Sequence, residues 1–365
     1  LLWYNGKNLK YEVDKSEKII VSDPVKEEIS NIEKAREILN EMSLEEKVGQ
    51  MFIVRCLQEN DVQLISKYHL GGYILFGRDF KNKTQEEVSS NIQSYQNASK
   101  INMLIGVDEE GGTVNRVSLY DEFRSTRFKS PQDLYKAGGW DLIAQDTEEK
   151  AILLKSLGIN LNMAPVCDVS TNPSDYIYKR TLGKDAKLTS QYVQKVVGVM
   201  NENKLGCVLK HFPGYGNNSD THTGIAYDHR SYESFAKNDF LPFISRIDGG
   251  AGAVLVSHNI VECMDSKYPA SLSLKVHQIL REDLNFDGVI MTDDLYMDAI
   301  QQYTKAKQAA VVAVLSGNDM ICCTDFEIQI PAVIEAVKNG TISESKIDES
   351  VIRILCWKLS LGIVE

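Results

Sequence analysis

Lys210 and His211 stand at the end of an apolar run and are followed by Pro213, Gly214 and a polar stretch that carries Asp220 and His222. An Asp just ahead of a His can hold one ring nitrogen and leave the other facing a substrate, the arrangement of a general acid/base pair. A surface turn is the plain alternative. His211, Asp220 and His222 are also chemically able to bind a metal, but they lack a helical His-x-x-x-His or another standard ligand spacing. Asp293 is the first charged residue after the apolar run 288–292, and with Asp294 it forms an acidic pair that equally suits a helix N-cap, the role expected of Asp294. Asp108 likewise closes an apolar run, ahead of Glu109, Glu110, Gly111 and Gly112, where the glycines predict a tight turn that makes the two glutamates scaffold.

These residues need elements that bring them together. Short apolar runs recur at 50–55, 72–76, 103–108, 159–165, 207–212, 253–258, 288–293 and 319–324. Between them lie helical stretches at 85–99, 140–157, 190–203, 231–246, 273–284 and 304–315, and a last amphipathic helix covers 343–361. A helix over 26–42 and a capping-box start at Ser43-Leu44-Glu45-Glu46 precede them. Strands alternating with helices make parallel βαβ units, and this number of repeats fits a single α/β (β/α)8 barrel of the TIM type. An open doubly wound sheet is the competitor. The polar residues decide against it: Arg55, Asp108, Asp168, Lys210 with His211, His258, Asp293 and Thr324 all fall at or just past the carboxyl ends of runs, which a barrel gathers on one face. The expected organisation is an extended leader over 1–27 and one barrel over 28–365.

The 365 residues are 43% apolar, 25% charged and 8% aromatic, ordinary values for a globular chain with a large core. Forty Lys and Arg against fifty-one Asp and Glu leave a net charge of −11, the wrong sign for a nucleic-acid partner. The seven cysteines are scattered without a CxxC pair and read as small buried hydrophobes. No apolar stretch reaches the ~20 residues of a spanning helix. The chain begins at Leu1 and runs through a charged, aperiodic stretch, so an exported protein with a removed signal or lipid anchor is favoured over a cytoplasmic one. With no symmetric apolar seam, a monomer is the default expectation.

The quoted motifs resemble a known family. Lys210-His211-Phe212-Pro213-Gly214-Tyr215-Gly216 followed by Asp220-Thr221-His222 is similar to the Lys-His-Phe-Pro-Gly-His-Gly and Asp-Ser-His of glycoside hydrolase family 3, in its β-N-acetylglucosaminidase branch. Asp108 to Arg116, Asn162 to Val169, Arg180-Thr181-Leu182-Gly183 and Phe286 to Leu295 resemble further family segments in the same order, over roughly residues 43–362.

The resemblance implies a retaining, exo-acting β-N-acetylglucosaminidase that removes terminal GlcNAc from cell-wall fragments or chitooligosaccharides without a cofactor or metal. Asp293 would be the nucleophile, and His222, held by Asp220, the acid/base in place of the usual second carboxylate. Asp108, Arg116, Arg180, Lys210 and His211 would bind the sugar, with a structural ion pair to a barrel acid as the alternative for Arg116 or Arg180; by their own positions, Asp168 suits orienting Arg180 or a loop and His258 suits lining the pocket. Two departures stand out: Tyr215 replaces the second motif histidine, and the spacer from Gly216 to Asp220 is one residue shorter than the commonest form. Asp79 stands where the family more often has Asn. The alternatives are a family 3 β-glucosidase or β-xylosidase, a GlcNAc phosphorylase using phosphate in place of water, a metal-dependent hydrolase, and an inactive muropeptide-binding barrel.

Overall fold

The computed structural model describes residues 23–57, 61–218, 226–247, 250–295, 300 and 308–365. Each expected apolar run contains a strand: β1 (Phe52–Arg55), β2 (Gly72–Leu75), β3 (Leu104–Val107), β4 (Leu161–Asn162), β5 (Gly206–Phe212), β6 (Ala253–Val256), β7 (Val289–Thr292) and β8 (Ile321–Cys323). All pair in parallel in the order β8-β1-β2-β3-β4-β5-β6-β7. The two ends of that order meet through a parallel bridge between Met291 and Met320, where Thr292 N donates to Met320 O at 3.2 Å. The sheet therefore closes on itself, and the expected (β/α)8 barrel is the fold. Its strands are buried on both faces, which is why they read as continuous apolar runs rather than alternating ones.

The surrounding helices start where side chains can satisfy their first N–H groups. Ser43 and Glu46 form a reciprocal capping box at 2.8 and 3.2 Å, and Thr84 with Glu87 repeats it at 2.7 and 3.2 Å. Ser130, Asp185, Ser273 and Ser343 cap four others. Each such cap is worth about 1 kcal/mol. The helix Pro131–Ser156 starts ahead of the expected 140, because Ser130 caps it and Pro131 suits its first turn; Gly139, at φ 63° and ψ −145°, breaks it just before Trp140. Helices Asp61–Tyr68 and Phe326–Lys338 are additional to the expected ones, and the second contains Pro331. The helix expected at 304–315 is described only as Ala309–Ser316.

Residues 1–22 of the expected leader lie outside the described residues, and the described chain opens in helix Asp23–Asn40. Among the described residues no helix is long and apolar enough to cross a membrane.

The amino-terminal rim of the barrel is tied by buried polar groups. Asp319, ahead of β8, accepts from Ile290 N at 2.9 Å, Ser350 Oγ at 2.9 Å and Arg353 at 3.1 Å, and also from Arg281. Lys358, fully buried on the last helix, donates to Gln50 Oε1 at 2.7 Å. Polar residues at this end of a barrel serve stability, and the opposite rim carries the candidate chemistry.

Candidate active site

Beyond β3 the chain runs Asp108, Glu109, Glu110 into a turn at Gly111 and Gly112, whose φ angles are 97° and 62°. A Cβ on Gly111 would sit 2.2 Å from Lys129 O, so the turn admits only glycine there. Successive side chains in extended chain alternate, so Asp108 and Glu110 share one side and Glu109 the other. Glu109 is indeed scaffold: its carboxylate accepts from Arg116 N at 2.8 Å and Val117 N at 2.7 Å, and its backbone exchanges hydrogen bonds with the Asn162 side chain at 3.0 and 3.1 Å. Glu110 lies among the expected sugar-binding residues.

Lys210 and His211 come from β5, where the register against β6 shifts between Leu209 and Phe212. That irregularity lets adjacent side chains both reach the site. Lys210 Nζ lies 2.7 Å from Asp108 Oδ1 and 2.6 Å from Glu110 Oε1. Glu110 also takes Arg180 in bidentate fashion, at 3.0 and 2.7 Å. Burial alone would raise the pKa of Glu110, but the charges of Lys210 and Arg180 outweigh it and hold the carboxyl well below the usual range. Burial likewise pulls Lys210 down, yet Asp108 and Glu110 leave it raised, so it is a cation.

Asp168 was expected to orient Arg180 or a loop. It does the second and also orients His211: its carboxylate lies 2.7 Å from His211 Nδ1 and accepts from Tyr215 N at 2.6 Å. Arg180 lies 3.2 Å from His211 Nε2. A carboxylate only accepts and a guanidinium only donates, so His211 fits as the Nδ1–H tautomer with Nε2 accepting. Tyr215 stacks edge-on against His211 with ring centroids 5.4 Å apart. Arg116 is held loosely, 3.9 Å from Asp108 Oδ2.

Asp293 follows β7, and its N–H donates to Val256 O at 3.2 Å, fixing it against the end of β6. Asp293 Oδ1 accepts from Asp294 N at 2.9 Å, and Asp294 Oδ2 accepts from Thr324 Oγ1 at 2.7 Å. The helix start that Asp294 was expected to cap falls on 296–299, outside the described residues. His258, expected to line the pocket, is fully buried beneath it and contacts the Asp294 carbonyl. Burial, and then the charges of Asp294, Asp293 and Asp108 around it, push the Cys322 thiol well up.

Asp220 and His222 fall on 219–225, outside the described residues. The chain on either side is anchored. Arg230 bonds Asp228 at 2.7 Å and Asp239 at 2.9 and 3.0 Å, and donates to Gly214 O at 3.2 Å, while Asn218 donates to Asp228 Oδ2 at 2.7 Å. Both carboxylates are buried. The sequence gives no sign of the Asp228-His229-Arg230 cluster, and the expectation that both glutamates are scaffold holds for Glu109, whereas Glu110 pairs with Lys210 and Arg180, as its two-residue offset from Asp108 would suggest. Asp79 has a simple role: its Oδ2 accepts from Phe76 N at 2.7 Å, capping the short turn Gly77–Phe80. Among the described residues no group of three His, Cys, Asp or Glu side chains is placed to hold a metal ion.

The carboxyl end of the barrel thus carries a network of charged donors and acceptors, Asp108, Glu110, Arg180, Lys210 and His211, on the same rim on which Asp293 follows β7. Residues 43–356 match the glycosyl hydrolase family 3 N-terminal domain. A beta-hexosaminidase of Nitrosomonas eutropha is 31% identical over 281 residues, 74% of this chain and 78% of that protein. One from Idiomarina loihiensis is 30% identical over 302 residues, 79% of this chain and 87% of that protein. The solved structure of a family 3 beta-N-acetylglucosaminidase from Paenibacillus sp. FPU-7 superposes with a TM-score of 0.83 at 29% identity, covering 88% of this chain and 63% of that longer one. By its motifs, its barrel and these relatives, the chain belongs to glycosyl hydrolase family 3 and is a glycosidase.

Proposed function

We propose that this glycosidase is a retaining, exo-acting β-N-acetylglucosaminidase that releases terminal β-linked GlcNAc from cell-wall fragments or chitooligosaccharides. The observation that supports the reading is the hydrogen-bonded network of Asp108, Lys210, Glu110, Arg180 and His211 at the carboxyl end of the barrel, the rim on which Asp293 follows β7. Asp108 accepts hydroxyl protons, and the cations donate to sugar oxygens while balancing the carboxylates.

In the first step an Asp293 oxygen attacks the anomeric carbon as the glycosidic bond breaks, and His222, oriented by Asp220, gives its proton to the leaving oxygen. The product is a glycosyl ester on Asp293 with a neutral His222 ring. That ring then takes a proton from water, whose oxygen attacks the same carbon from the face the leaving group vacated, freeing Asp293 and retaining the β configuration.

The test compares turnover of 4-nitrophenyl β-N-acetylglucosaminide with the matching β-glucoside, for the native chain, Asp293→Asn and His222→Ala. Selective cleavage of the acetamido sugar, lost by roughly a thousandfold or more in Asp293→Asn and strongly reduced in His222→Ala, is expected. Equal turnover of both sugars, or an Asp293→Asn variant that retains activity, would overturn the reading.

A further inference from the structure

We propose that Arg55 and Arg116, set against the ring of Phe76, form an oxyanion subsite on the β1–β3 side of the mouth, for a carboxylate or phosphate bound beside the sugar. The carry-over of sugar-binding roles from the family does not include Arg55. Its guanidinium carbon lies 4.7 Å from the centroid of the Phe76 ring, and that of Arg116 lies 5.8 Å from the same centroid. Two cations thus share one aromatic anchor.

Their hydrogen bonds are incomplete. Arg55 makes no hydrogen bond or ion pair through its side chain to any described residue, and its Nε is buried without a partner. Arg116 Nε is also buried without a partner, and its remaining polar contacts are long, 3.4 Å to Asn115 O and 3.9 Å to Asp108. Other partly buried arginines close on carboxylates: Arg180 on Glu110, Arg230 on Asp228 and Asp239, and Arg353 on Asp319. A cation–π contact is made by the charge of the guanidinium over the ring and does not consume its N–H donors, which stay available to an acceptor. Those donors match the two oxygens of a carboxylate or phosphate. On a chain of net charge −11, this is a local cationic spot at the mouth, beside Asp108.

The oxyanion has two chemical sources, a substituent on the sugar chain or free phosphate acting as acceptor in place of water. The choice between them rests on the proposed β-N-acetylglucosaminidase reading, whereas the subsite itself does not. Three arms separate these cases in the native chain, Arg55→Ala and Arg55→Lys. The first measures kcat/KM for a GlcNAc-MurNAc disaccharide, which carries a carboxylate, against neutral N,N′-diacetylchitobiose. A ratio that falls about tenfold in Arg55→Ala, with partial retention in Arg55→Lys, identifies a substrate carboxylate. The second analyses products in phosphate buffer: GlcNAc 1-phosphate formed by the native chain and diminished about tenfold relative to GlcNAc in Arg55→Ala identifies phosphate as the acceptor. The third titrates inorganic phosphate calorimetrically, and binding by the native chain that is lost in Arg55→Ala supports the subsite even if no sugar is turned over. The proposal is overturned if the substrate ratio, the product ratio and phosphate binding are all the same in Arg55→Ala as in the native chain.

Discussion

His258 Nε2 lies 2.9 Å from the carbonyl oxygen of Asp294, and its Nδ1 lies 2.7 Å from Ser271 Oγ. A carbonyl only accepts, so Nε2 carries the hydrogen and the Ser271 hydroxyl can donate to Nδ1. A buried side chain at the end of β6 therefore holds the backbone beside Asp293 at the end of β7. His258→Ala is expected to lower kcat roughly tenfold with a smaller change in KM, because it loosens the carboxylate without touching the sugar. His258→Asn, which can still donate through its amide, should recover part of the loss. Steady-state kinetics of the two variants checks this.

Glu110 is the shared counter-charge of Lys210 and Arg180. In Glu110→Gln the buried Lys210 and the partly buried Arg180 are left with one carboxylate fewer. Removing a partner from a buried charge network costs about 3–5 kcal/mol. The melting temperature should therefore drop by roughly 5–10 °C, with a raised KM from misplaced sugar donors. Thermal melts and kinetics on the same preparations measure both effects.

Gly214 has a φ of 124°, and a Cβ there would sit 2.3 Å from Asp239 Oδ1. Gly214→Ala must therefore strain the backbone and push apart the Asp239–Arg230 pair, which anchors the stem of the segment bearing Asp220 and His222. The expected result is a stability loss of about 2–4 kcal/mol, from the unfavourable φ and the disturbed buried pair, together with a lowered kcat. Urea denaturation and turnover at a temperature where the variant is folded separate the two.

Burial pulls the Lys358 pKa down from 10.5 to about 7. Between those values the unfolded chain holds a proton that the folded chain has released, so stability rises with pH across this window. Below about 7 both states are protonated and the full cost of burying the charge remains. Lys358→Met removes that cost but leaves Gln50 Oε1 without its donor. A net gain on the order of 1 kcal/mol is expected near pH 6, shrinking as pH rises towards 10. Melting temperatures across that range check the sign.

The barrel was legible in the sequence because its strands are buried on both faces and separated by helix-length amphipathic stretches, a pattern set by local burial and period. The same pattern placed Asp108, Lys210, His211 and Asp293 at strand ends, and a barrel has one face where those ends meet. What the sequence could not express was the partner of each charge. Glu109 and Glu110 are adjacent and alike, yet one binds backbone N–H groups and the other binds two cations, a division set by which side of the extended chain each occupies. Asp168 could have served Arg180, and the fold instead gives it His211, because β4 and β5 are neighbours and Glu110 takes the arginine. The shared Phe76 anchor of Arg55 and Arg116 joins residues separated along the chain, and the side-by-side pairing of β1, β2 and β3 sets them on one ring. Periodicity is a property of neighbours along the chain, whereas ion pairing and ring contact depend on distances that only tertiary packing creates.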